Sequence, residues 1–364
     1  MSNEKSRQLN TEVLRIAAML MIIMLHLLDK GNVLKDFTLK MGFNRSVAWI
    51  IESVCMTSVN IYVLISGYYL SKSEMKVKKI VILWAQILFY SWIITAIYAI
   101  VAKGAFNFEH GIYDLIPLCM PVTGAHYWFA TVYMLLYIFF PFLNKGIEAM
   151  DKKRFRGILV SAIIVFSLWN TILPFTQPLT DREGMDICWF VCLYLTAAYI
   201  RKYPEDFKLN KWICLLLFFV SAVIPFILGQ GILLIDVILG KLGGYAKNFY
   251  PYNSFFIFAA SVFLFLFAIK CEIKCKAWFG RIILFASQGT FGVYLLHEHN
   301  LIKYLWPKWL NVEKISETPF FVIHAIGTIL LVFAAGILID SVRRLIFGIF
   351  TKTKKQTINK TESK

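Results

Sequence analysis

Ten times along this chain a run of roughly twenty mostly apolar residues goes by, each about as long as a helix needs to cross a bilayer. The first holds "RIAAMLMIIMLH", Arg15 to His26, with ten uninterrupted apolar residues between a guanidinium and an imidazole. The runs fall at about 11–29, 46–70, 79–102, 126–143, 157–175, 186–200, 211–229, 250–269, 287–305 and 320–342. The sixth is short enough to be tilted or partly re-entrant. In hydrocarbon a backbone amide has no water to bond, so such runs fold as helices. The fold class expected is all-α, a polytopic membrane protein with about ten transmembrane helices. Composition agrees: only 16% of the residues are charged, against about 25% in soluble domains.

The basic residues orient the helices. Of 38 Lys and Arg, 26 lie in the N-terminal segment, the loops 71–80, 144–156, 201–211 and 270–281, and the tail from Arg343. The five intervening connections hold 11, and Arg15 is the last. This loop-by-loop alternation places both termini in the cytoplasm. The net charge of +16 is then a topology signal with attraction to anionic lipid headgroups, which argues against nucleic acid as a partner. No cleavable signal-peptide pattern is visible. Residues 1–345 read as one membrane-embedded domain, and 346–364, with "TKTKKQTINKTESK", as a basic disordered cytoplasmic tail. Pro141, Pro174 and Pro225 lie in or near helix ends. Cys188/Cys192 and Cys271/Cys275 are each four apart, but no nearby histidine completes a ligand set, so no metal is expected.

Ionisable groups at membrane depth usually face a bundle interior and are functional candidates by default. Arg15 and His26 are eleven residues apart, which leaves them about 20° apart around the helix and about 16 Å apart along it. Glu12 lies one turn below Arg15 and can pair with it. Snorkelling to headgroups is the plain explanation for Arg15, and a hydrogen-bonded core histidine for His26. The set of six histidines, His26, His110, His126, His297, His299 and His324, falls entirely at or beyond mid-depth on the outer side in this topology. His297 and Glu298, in "GTFGVYLLHEHNLI", sit well inside the ninth run as candidates to line one cavity with His26. Glu52 needs a partner in its apolar run, and Asn60 and Ser66 precede the close-packing "SGYYL". Lys76, Lys78 and Lys79 stand at the cytoplasmic mouth, where they suit phosphates, although positive-inside bias also accounts for them. His126 and Trp128 head the fourth helix in "GAHYWF", an interfacial aromatic setting. Trp128, Tyr127 and Tyr294 suit sugar stacking or plain packing.

In this order, these residues resemble the acyltransferase type 3 family of bacterial integral-membrane O-acyltransferases. "LNTEVLRIAAMLMIIMLH" is similar to its first-helix pattern of a basic residue, ten residues, then histidine, with Glu12 as the acid three before Arg15. "VNIYVLISGYYL", "HYWFATVYMLLYIFFPFL" and "GTFGVYLLHEHNLI" resemble its later motifs. Asn60 stands where an acid is common in the family, and "WFATVYM" replaces its Trp-Ser-Leu-x-x-Glu. The resemblance implies transfer of an acyl group, usually acetyl, from cytoplasmic acyl-CoA to a hydroxyl of a surface or lipid-linked polysaccharide. The setting it implies is the bacterial cytoplasmic membrane. It makes Arg15 and His26 the functional residues, with no permanently bound cofactor and acetyl-CoA as donor substrate. Arg15 with Lys76, Lys78 or Lys79 would hold the CoA phosphates, while His26 acts as base or is transiently acylated, with His297 and Glu298 in reserve for the proton. Glu12, Glu52, Asn60, Ser66, Trp128 and His126 are supporting residues. Partners implied are acyl-CoA, a glycan acceptor, membrane lipids and glycan-synthesis proteins. The competing reading is a glycan or lipid-linked sugar transporter or flippase without acyl transfer; a structural or sensory membrane protein is the third.

Overall fold

The computed structural model describes residues 3–101, 116, 120–122, 126–173 and 183–361, with side chains from residue 9 to residue 348. His110 and Pro174, singled out in the sequence, lie outside the described residues. Among the described residues every regular element is helical. The helices are α1 (Asn3–Lys30), α2 (Phe43–Cys55), α3 (Thr57–Leu70), α4 (Val77–Val101) and α5 (Trp128–Glu148). Then α6 (Lys152–Ile163) runs through a π-helical turn (Ile164–Leu168) into α7 (Trp169–Ile172). After these come α8 (Ile187–Lys202), α9 (Lys211–Leu239), α10 (Phe255–Lys270), α11 (Ala277–His297), the short α12 (Leu305–Trp309) and α13 (Val312–Ser316), and α14 (Phe321–Thr361).

Eight of the described helical stretches are long and apolar enough to cross a membrane, with α2 and α3 forming one of them. The two shorter helices, α8 and α10, occupy the sixth and eighth expected positions. The protein is a polytopic membrane protein. One boundary needs correction: the ninth helix is Ala277–His297, about ten residues earlier than 287–305. Arg281, Ser287 and Gln288 dilute the apolar signal over its first half, whereas the apolar residues after Asn300 belong to turns and α12. Glu298 therefore stands just past a helix end instead of inside a helix. The backbone of α14 stays helical beyond residue 345. Pro141 and Pro225 sit inside α5 and α9.

Side-chain ties define the two ends of the bundle. At the end rich in Lys and Arg, Asn10 accepts from the Ile273 amide at 3.0 Å, Lys152 reaches Glu205 and Asp206 at 2.8 and 2.7 Å, and Lys202 donates to the Ile147 carbonyl at 2.7 Å. At the opposite end, Lys35 pairs with Glu317 at 2.9 Å and Asn44 donates to the Thr318 carbonyl at 2.7 Å.

Helix α1 is central, packed against α2, α3, α10, α11 and α14. Helix α8 is buried over almost its whole length because it lies against α3, α5 and α6. Gly67 makes the α3–α8 approach close: a Cβ there would stand 3.0 Å from the Tyr194 Cα and 3.1 Å from the Ala197 Cβ. Asn60 locks the same region. Its side chain donates to the Tyr252 carbonyl (2.8 Å) and to Ser261 Oγ (3.2 Å) and accepts from the Trp189 indole (3.0 Å). A fully buried carboxylate, Asp340 of α14, accepts from Arg343 Nε at 2.7 Å and from the Tyr90 hydroxyl at 2.9 Å. Arg344 Nε lies 3.2 Å from its other oxygen. Glycine is required at 292, because any Cβ would overlap that carboxylate.

Candidate active site

His26 sits one turn before the end of α1, and α11 delivers His297 directly to it. His26 Nδ1 lies 2.9 Å from His297 Nε2. His297 Nδ1 lies 2.6 Å from the Val293 carbonyl oxygen, one turn back on α11. A carbonyl only accepts, so the proton of neutral His297 is on Nδ1 and its Nε2 must accept. His26 therefore donates from Nδ1, and its Nε2 carries the free lone pair. A shared depth in the membrane made these two imidazoles candidates to line one cavity, and the fold brings them into hydrogen-bond contact.

Glu298, the residue after α11, puts Oε2 3.1 Å from the same His26 Nδ1. That oxygen is buried without a hydrogen bond of its own, so the contact acts through charge while the aligned bond goes to His297. The Trp306 indole donates to the His297 carbonyl at 3.2 Å and fixes the helix end. Although five helices flank α1, the His26 side chain keeps 16% of its surface accessible. The imidazole is thus partly accessible, and among the described residues no hydrogen bond occupies its Nε2.

Other charges lie near this pair. Besides Glu298, Lys30, Asp29 and Lys303 are within electrostatic reach of His26. Lys30 contacts Asp29 at 2.6 Å, and the Lys30 and Lys303 ammonium groups each lie 5.4 Å from the Tyr304 ring centre. Glu52 of α2 is within electrostatic reach of the Asp29 and Lys30 pair, with its Oε2 buried and without a hydrogen bond. Tyr252 is within electrostatic reach of both Glu52 and Glu298 and packs its ring 5.8 Å from Trp128. A second polar group adjoins: the His126 ring is 4.5 Å from His299, and Asn300 Nδ2 donates to His126 Nδ1 at 2.9 Å. The Tyr127 hydroxyl donates to the Leu295 carbonyl at 2.9 Å, tying α11 to the start of α5.

Toward the basic end, Arg15 Nη1 pairs with Glu12 Oε2 at 2.5 Å, and the Arg15 carbonyl accepts from the Tyr62 hydroxyl at 2.9 Å. The guanidinium remains part-exposed, at 28%. Lys76, Lys78 and Lys79 are exposed where α4 begins, and among the described residues they make no contact with Arg15. Helix α4, at whose start they stand, packs on α11 and α5. Ser66 donates to the Tyr133 hydroxyl at 3.2 Å, so it ties α3 to α5.

A family model for an acyltransferase domain, acyltransferase type 3, matches residues 9–337, nearly the whole chain. The chain belongs to that family. The match takes in Arg15, His26, His297 and Glu298. No curated protein and no solved structure matches it significantly. This acyltransferase therefore carries two imidazoles and a carboxylate in mutual contact, a set suited to moving a proton. Sequence reasoning missed Asp29, Lys30, Tyr252 and Lys303. Lys30 had a signal, since it lies four residues after His26 on the same helix face; Tyr252, one of 17 tyrosines, had none.

Proposed function

We propose that the protein transfers an acetyl group from cytoplasmic acetyl-CoA to a hydroxyl of a bacterial surface or lipid-linked polysaccharide, with its basic end and both termini in the cytoplasm. The observation that carries this reading is the His26–His297–Glu298 contact within a family acyltransferase domain. The acceptor hydroxyl attacks the thioester carbonyl carbon and passes its proton to His26 Nε2. The carbon–sulfur bond then breaks, and the proton moves on to the departing thiolate. Glu298 favours the imidazolium that forms, and His297 holds the ring with Nδ1 pointing inward. Glu52, Trp128 and Tyr252 are placed to hold the sugar. Arg15, about 16 Å down the same helix, faces the arm of the donor.

The test is label transfer. Purified protein in nanodiscs, given acetyl-CoA labelled in the acetyl group and the surface-glycan fraction of the producing cells, should label the glycan. His26→Ala should abolish labelling while acetyl-CoA still binds. A transporter would leave the glycan unlabelled and refute the reading.

A further inference from the structure

The basic end holds a cleft of about 550 Å³ between α1, α3, α8 and α10, apart from the histidine pair. Its polar lining is Thr11, Tyr68, Tyr69, Arg201 and Lys270, and no carboxylate lines it among the described residues. The volume is in the range of small-molecule sites.

Neighbouring cations are already committed. Lys152 is bound by Glu205 and Asp206, which its ammonium holds below the usual carboxylate range, and Lys202 donates to the Ile147 and Met150 carbonyls. Arg201 differs. Its guanidinium lies 4.4 Å from the Tyr68 ring centre and 5.8 Å from that of Tyr69, and no carboxylate pairs with it among the described residues. Stacking fixes the plane of the guanidinium and leaves its in-plane donors for a ligand. Lys270 uses one donor on the Phe207 carbonyl, at 2.6 Å, and has two more. On the same wall the buried Thr11 hydroxyl is 2.9 Å from the Tyr69 hydroxyl, so the two hydroxyls hold each other. A preorganised fork and an ammonium with no competing acid form a receptor for phosphate esters.

Position selects among phosphate esters. Thr11 is one helical turn before Arg15, so the cleft opens at the foot of the α1 stripe that leads to His26. From Thr11 to His26 is about 22 Å along the helix, a distance suited to a nucleotide carrying a long reactive arm. We infer that this cleft binds the phosphorylated nucleotide end of the acyl donor through Arg201 and Lys270. This assignment rests on the acyl-CoA reading above and moves the phosphates away from Lys76, Lys78 and Lys79.

The experiment is equilibrium binding of free CoA, which has no acyl group to transfer, to the full chain in phosphatidylcholine nanodiscs. Arg201→Gln and Lys270→Gln should each raise the Kd about tenfold, and Arg201→Lys, which keeps the charge but loses the fork, should raise it less. Monodispersity and unchanged thermal unfolding establish that each variant is folded. Wild-type binding of CoA with unchanged Kd in folded Arg201→Gln and Lys270→Gln would overturn this site alone. Absence of CoA binding by wild type would overturn the donor reading and this site with it. Loss of co-purifying phosphatidylglycerol in the variants, with CoA affinity intact, would reassign the cleft to lipid headgroups and overturn it as well.

Discussion

Replacing Glu298 by glutamine keeps the shape of the side chain and removes its charge 3.1 Å from His26 Nδ1. For full unit charges at an effective dielectric of about 20, Coulomb's law gives about 5 kcal/mol at that distance. In the transition state the proton is only part-transferred, and both side chains retain some solvent access, 16% and 11%, which screens the pair. About 2 kcal/mol of transition-state stabilisation remains, or a fall in kcat of roughly 30-fold. The assay is release of CoA thiol by the protein in nanodiscs at saturating acetyl-CoA, with the glycan fraction as acceptor. KM for acetyl-CoA should hold, because the carboxylate is remote from the phosphates. A folded Glu298→Gln protein with kcat within twofold of wild type would refute the electrostatic role.

Three further outcomes are expected. His297→Phe removes the acceptor that fixes the His26 tautomer, and kcat should fall roughly 10- to 100-fold at normal expression, read in the same thiol assay. Asn60→Leu leaves the Trp189 indole and the Tyr252 carbonyl without their partner. It should cost about 3 kcal/mol of stability, seen as a lower unfolding midpoint by tryptophan fluorescence. Asp340→Leu strands the buried Arg343 and should destabilise by about 3–5 kcal/mol, whereas the double variant with Arg343→Leu should recover much of the loss.

Much of the architecture was legible because a bilayer allows few solutions: a chain with long apolar runs must form helices. Boundaries were less legible. The start of α11 is hidden by the exposed Arg281 and Gln288 and the buried Ser287, polar residues that lower the apolar signal. The pairing of Arg15 with Glu12 followed from helical spacing alone. The meeting of His26 with His297, across 271 residues of chain, was suggested only by a shared depth in the membrane. Contacts made by rotation about a helix axis, such as Asp340 with Tyr90 or Arg201 over Tyr68, have no local pattern to announce them. The lysines 76, 78 and 79 show the limit of loop charge, which says which side a loop lies on and not which helix it leans against.

The most direct test of the account is mass spectrometry of the surface polysaccharide from cells lacking this protein and complemented with wild type or His26→Ala at matched expression. The account predicts an acetyl increment on the glycan that vanishes with the protein, returns with wild type, and stays absent with His26→Ala. Full acetylation in the His26→Ala cells, or no change on removing the protein, would contradict it.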